Sequence, residues 1–227
     1  MKRALLLVYL FALCNLTLLA QTGQVPRFAH GNEKSKLHVA PQAVPAGLQK
    51  ISSNLGPNQY ELYTDNYTWY VEGPLGVDGG QQFTSVPFTP TSNAQVSEVR
   101  AAVQYITGDR LFDLSIYADS GGSPGTLLAG PVTVTHFPDF LTCCTLASAN
   151  FDPPLAVTGG TQYWVVASTP TSGKGANFVG GWDFVYQGDI LPVAFYLLFG
   201  SVEYFEYYEV IDPGLSTPAL EVLGTND

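Results

Sequence analysis

Charge is scarce in this sequence, and basic charge is scarcest of all. Only 12% of the 227 residues are Asp, Glu, Lys or Arg, about half the roughly 25% usual in soluble proteins. Nine basic residues stand against 19 acidic ones, a net charge of −10. A chain so poor in Lys and Arg is ill suited to neutralising phosphates, so nucleic acid is not an expected partner. The same deficit argues against electrostatic adsorption to anionic membranes. Histidine and cysteine number three each, too few and too scattered for a zinc cluster. What the chain does have is a normal 46% of apolar residues, with 23 Gly and 16 Pro spread along its length. That mixture excludes a coiled coil, a helix bundle and an acidic disordered tail, and suits short strands punctuated by turns.

The first 20 residues read as an export address. Lys2 and Arg3 precede an apolar run from Ala4 to Leu13, resumed from Leu16 to Ala20. A positive start, an apolar middle and a small residue at the exit spell a secretory signal peptide, with cleavage expected after Ala20. Asn15 and Thr17 interrupt the run, and a membrane span wants about 20 unbroken apolar residues. No membrane span is therefore expected once the signal is removed. Cys14 follows the bulky Leu13, which rejects it as a lipid-attachment site. Cleavage lowers the basic count to seven and takes the net charge to −12. Residues 21–56 are polar, carry Pro26, Pro41 and Pro45, and read as a flexible leader. A single folded domain is expected over 57–227, stable without that leader.

Along this domain the apolar period is two. Val99, Ala101, Val103 and Tyr105 alternate with Arg100, Ala102 and Gln104. Phe112, Leu114, Ile116 and Ala118 take one face of the next strand, Asp113, Ser115, Tyr117 and Asp119 the other. Residues 132–135 alternate Val and Thr, and 161–167 follow a Gly159-Gly160 turn and are rich in β-formers. Residues 219–223 make a last short strand. With weaker stretches at 68–71, 82–88, 142–150, 177–186 and 193–199, the count reaches about ten strands and no helix. Glu203, Glu206 and Glu209, interleaved with aromatics, fit either a helical turn or an irregular strand. The expected fold is all-β, an antiparallel, jelly-roll-like β-sandwich.

A set of ordered motifs carries a family resemblance. Gln82-Phe83, Pro87-Phe88-Thr89-Pro90, the stretch 99–105, Leu114 through Asp119-Ser120-Gly121-Gly122-Ser123-Pro124-Gly125, and Gly160-Thr161-Gln162-Tyr163-Trp164-Val165-Val166 occur in that order. In this the chain resembles the choice-of-anchor R domain family, secreted bacterial β-sandwich domains attached by varied sorting tails. Residues 218–224 look like that family's last strand, and Cys143-Cys144 like a pair that some members carry. The resemblance spans most of 67–226 and rests on turn glycines and core aromatics. It implies secretion and a fold, and brings no catalytic residues. The chain has no apolar tail or sortase-type motif after Asp227, so no particular anchor is implied.

Several constellations resemble chemistry. The run from Asp119 to Pro124 superficially echoes the surroundings of a trypsin-like serine, but that chemistry needs a His base and a buried Asp. His136 is the sole histidine beyond the leader and follows Ser120. The run reads as a strand end and a Gly-Gly turn. No cofactor is implied. A structural calcium is chemically admissible at Asp109, Asp113 and Asp119, against the plainer reading of a solvated acidic face. Trp182, Asp183 and Tyr186, after Gly180-Gly181, could form a stacking platform with an adjacent carboxylate for a polysaccharide; the plainer reading puts these aromatics in the core. Cys143 and Cys144 are the two thiols left after cleavage. Consecutive Cα atoms lie about 3.8 Å apart, below the usual disulfide range, so geometry opposes a bridge between them. Export and the lack of another partner favour one, and a bridged bend before Thr145 is the expectation. Two functional classes stay open. One is a secreted or surface-exposed, non-catalytic module with a structural or binding role toward polysaccharide or other surface proteins. The other is a carboxylate-dependent hydrolase, whose two carboxylates would lie about 5–10 Å apart across a cleft.

Overall fold

The computed structural model describes residues 28–30, 42–55, 63–77, 79–142, 145–185, 191–199, 202–208 and 217–227. Over these residues the chain is all-β, with fourteen strands, numbered in chain order, and no helix. The smaller of two antiparallel sheets runs β2 (Gln49–Ser53), β14 (Leu220–Asn226), β5 (Ala94–Ala101) and β9 (Ala147–Val157). The larger runs β6 (Val103–Thr107), β11 (Val179–Val185), β3 (Tyr63–Glu72), β4 (Gly80–Phe88), β10 (Tyr163–Ser168), β7 (Phe112–Asp119) and β8 (Pro124–Val134). Beside β3 lies β1 (Phe28–His30); beside β4 lies β12 (Val193–Phe199), which carries β13 (Val202–Tyr208). The expected sandwich is therefore what the chain builds.

The period-two pattern explains which faces meet. Phe112, Leu114 and Ile116 of β7 and Val99 and Ala101 of β5 are fully buried, and they share one core with Val165, Trp182 and Val222. A smaller apolar group, Val193, Phe195 and Leu197 of β12, packs with Trp69 at the far side of the larger sheet. Burying each such large side chain is worth about 1.5–3 kcal/mol, which is what holds two otherwise wet sheets face to face. In β11 every residue is buried, on both faces. Gly180 and Gly181 make this possible by having no side chain. A Cβ on Gly180 would come within 2.3 Å of the Phe178 ring, and one on Gly181 within 2.2 Å of Thr68 Oγ1.

The sheets join at a corner. The alternation over 99–105 is continuous in sequence, yet Ala102 divides it into β5 of one sheet and β6 of the other. There the Asp183 N–H donates to the Ala102 carbonyl (3.0 Å), the Ala219 N–H to the Asp183 carbonyl (2.9 Å), and the Ala102 N–H to the Ala219 carbonyl (3.2 Å).

The expected domain boundary moves. Residues 49–53, inside the span read as leader, form β2 and pair with β14. Leu55 is fully buried, and the Asn54 side chain brackets β14, donating to Pro218 O and accepting from Leu220 N–H, both at 2.8 Å. No strand signal marks it, because its sequence, QKISS, has one apolar residue and no alternation. Of the ambiguous stretch, residues 203–208 belong to strand β13 and Glu209 lies outside the described residues; the strand expected at 142–150 starts at Ala147 and runs on to Val157. Cys143, Cys144 and Tyr186 lie outside the described residues.

Candidate functional site

β8 and β9 are the terminal strands of their sheets and face each other along one side of the sandwich. Neither strand is regular. β8 shifts register against β7 at three places, and Phe151, Asp152, Pro153 and Pro154 of β9 bulge out where β5 has Ser97 alone. Bulges and prolines blunt an edge against further strand pairing. They also splay the two edges, and open grooves lie between them.

The larger groove, about 790 Å³, lies where β8 ends and β9 begins. Its floor is apolar, with Val134, Phe137 and Leu146. Its rim is polar, with Gln42, Arg110, Thr133, Thr135, His136 and Ser148. Gln42 is fixed by two hydrogen bonds to Leu146, its Nε2 donating to the carbonyl and its Oε1 accepting from the N–H, both at 3.2 Å. The carbonyls of Gln42 and Ala43 in turn accept from the Arg100 guanidinium, which is buried against Glu98 (2.7 Å) and Glu221 (3.3 Å). The segment before β2 is thus a wall of the groove. Arg110 donates to Asp139 Oδ1 and to the Phe137 carbonyl, both at 2.6 Å, and its guanidinium lies 4.8 Å from the centre of the Tyr105 ring. His136 Nδ1 hydrogen-bonds Thr135 Oγ1 at 3.1 Å. A second groove of about 490 Å³ continues between Leu128–Val132 of β8 and the bulge of β9, with Asp152 as the carboxylate in its lining.

The structure does not bring the anticipated stacking residues to a surface. Trp182 is fully buried between Trp69 and Val103, and its Nε1–H donates to the Ala219 carbonyl at 2.8 Å. Asp183 is fully buried at the sheet corner. The platform reading is therefore corrected: Gly180-Gly181 is a close-packing device inside a strand and not a turn that lifts Trp182 into solvent. Trp164 and Tyr163, neighbours on opposite faces of β10, are both buried.

The run after Asp119 is the expected turn. Ser120 N–H donates to the Ser123 carbonyl at 2.8 Å, and Gly121 and Gly122 take φ of 66° and 90°, open to glycine without strain. Asp119 is a structural hub: Oδ1 accepts from Trp164 Nε1 and Gln162 Nε2, both at 2.7 Å, and Oδ2 from Gly122 N–H. Slight burial pushes its pKa up, but the hydrogen bonds from Trp164, Gln162, Gly122 and Gly121 outweigh that and hold it below the ordinary value. The three aspartates weighed for calcium are not gathered. Asp109 accepts from Gly175 N–H, Asp113 from Thr133 Oγ1, and Asp119 sits at the far end of β7. Among the described residues no group of three His, Cys, Asp or Glu converges.

Arg110 and His136 meet because β7 and β8 pair antiparallel with Phe112 opposite Val134, a register that no sequence signal marks, and the loop after β8 then packs across the end of β6. Tyr105 N–H donates to Pro138 O and Phe140 N–H to Tyr105 O, both at 2.8 Å. Comparison with known proteins found no matching family model and no matching curated protein.

Proposed function

We propose that this protein is an exported, non-catalytic β-sandwich module that acts by binding, with the cleft between β8 and β9 as its binding surface. One observation carries the reading: the residues along the cleft offer hydroxyl, amide, imidazole and guanidinium groups, and a single carboxylate, Asp152. A glycosidase-like mechanism uses two carboxylates flanking the scissile bond, and the two groove linings supply no such pair. The leading segment 1–20 and the resemblance to choice-of-anchor R domains support action outside the cytoplasm, with polysaccharide or other surface proteins as partners.

The test is retention of the purified protein on insoluble polysaccharides and on isolated cell-surface fractions. Wild type should be retained, and Thr135→Val with Ser148→Ala should weaken retention while leaving the unfolding temperature unchanged. Turnover of a glycan or peptide that Asp152→Asn abolishes would overturn the non-catalytic reading.

A further inference from the structure

We infer that the larger groove selects acidic saccharides, with Arg110 receiving a uronate carboxylate; this rests on the reading of that groove as a binding surface. The argument starts from where basic groups lie. Beyond residue 51 the chain has three basic residues, Arg100, Arg110 and Lys174, against 18 acidic ones. Arg100 is spent in the buried contacts to Glu98 and Glu221. His136 is the sole histidine of that span, and it lines the same groove as Arg110. No acidic residue lines it. In so acidic a molecule, a groove whose lining holds a guanidinium and an imidazole and no acidic residue is where an anion finds donors, although Asp139 bonds Arg110 and Asp113 bonds Thr133 from outside that lining.

Arg110 is set up for this role. Its bonds to Asp139 and to the Phe137 carbonyl fix the guanidinium plane, and the side chain is still 41% exposed. A guanidinium carries five N–H donors, so those two bonds leave others for a ligand, in the planar fork that matches a carboxylate. Thr133, Thr135 and Ser148 around it suit a ligand rich in hydroxyls. An extended acidic peptide would instead need a regular backbone edge, and β8 offers register breaks and Pro131, which has no N–H. Asp139, 66% exposed, competes with the ligand carboxylate for the same guanidinium.

The test is calorimetric titration with a short oligogalacturonide, its fully methyl-esterified form and an oligoglutamate peptide. The acid saccharide should bind roughly tenfold more tightly than its ester, the scale of one charge-assisted hydrogen-bonded pair. Arg110→Gln should erase that preference, and Asp139→Asn should enlarge it by freeing the guanidinium. Should Arg110→Gln fail to fold, Asp139→Asn still decides, because weaker or equal acid binding in that variant overturns the assignment. Equal binding of acid and ester to the wild type overturns the charge selection but leaves the groove a binding surface. Tighter binding of the peptide overturns the saccharide class. If neither saccharide binds and Thr135→Val with Ser148→Ala changes no retention, the reading of the groove itself falls.

Discussion

The indole of Trp182 has no exposed surface, and its N–H is committed to the Ala219 carbonyl in the sheet corner. Trp182→Ala should therefore cost about 3–5 kcal/mol in stability, the range for emptying a buried aromatic site. Chemical denaturation should show it as a lowered midpoint, with retention on ligand unchanged per folded molecule. Asp119 makes the opposite kind of contribution, at the surface and dependent on pH. Its pKa is lowered in the folded state, so the stability it adds is present above its unfolded pKa of about 3.9 and is lost as pH falls through the folded value. At pH 7 Asp119→Asn should melt below wild type, because an amide NH2 would face the Gly122 N–H in place of an accepting oxygen. That gap should start to narrow as pH falls below about 4 and close as pH passes the lowered folded value, where the wild-type carboxyl is itself neutralised. Melting curves of both proteins across that range check the sign. A gap that widened in acid would contradict the assignment of these hydrogen bonds to the ionised form.

At the scale of elements, the segment 42–55 matters most. It supplies β2, buries Leu55 and Ile51, and delivers the Gln42 and Ala43 carbonyls to Arg100. A chain shortened to begin at Pro57 loses two apolar side chains worth about 1.5–3 kcal/mol each and uncaps a buried guanidinium. Against a total stability of about 5–15 kcal/mol, that shortened chain should be largely unfolded or strongly destabilised, where one beginning at Gln42 keeps its cooperative transition. Far- and near-ultraviolet circular dichroism of the two distinguishes the outcomes. β2 was illegible because an edge strand with Gln49 and Lys50 facing water looks like leader, and its single useful apolar residue, Ile51, makes no pattern. β7 was legible because Phe112, Leu114 and Ile116 alternate with polar residues, and β10 because its run is rich in β-formers, although the structure buries most of both strands on both faces. The Ala102 break was hidden for the converse reason: a strand that changes sheets keeps its period, so alternation alone cannot reveal the corner. The site was less legible still. Arg110 precedes β7 and His136 follows β8, so the register of that strand pair, with Phe112 opposite Val134, brings them to one groove, and the seating of residues 138–140 beside Tyr105 completes it.

For the whole molecule, the decisive fact is that the last strand is an interior one. β14 lies between β2 and β5, so the four-stranded sheet cannot form until the C-terminal residues arrive. Its Glu221 has no exposed side-chain surface and ties Lys50 of β2 (3.0 Å) to Arg100 of β5 (3.3 Å). Its Leu220, Val222 and Leu223 are buried, and the residues just before it close the corner with Asp183 and Ala102. Contacts this distant in sequence make loop closure the slow step, so folding in milliseconds to seconds is expected, as for all-β sandwiches generally. Until β14 docks, β2 lacks a partner and Arg100 lacks one of its carboxylates. The four-stranded sheet should therefore form only once β14 has docked. Removing Leu220–Asn226 should abolish the near-ultraviolet signal and the cooperative transition altogether. Glu221→Gln, which spares the hydrocarbon but removes the bridging charge, should cost about 3–5 kcal/mol by leaving Arg100 partly uncompensated in the interior. A truncated chain that still melted cooperatively would mean that the larger sheet folds alone, and that the corner at Ala102, Asp183 and Ala219 joins two independent units.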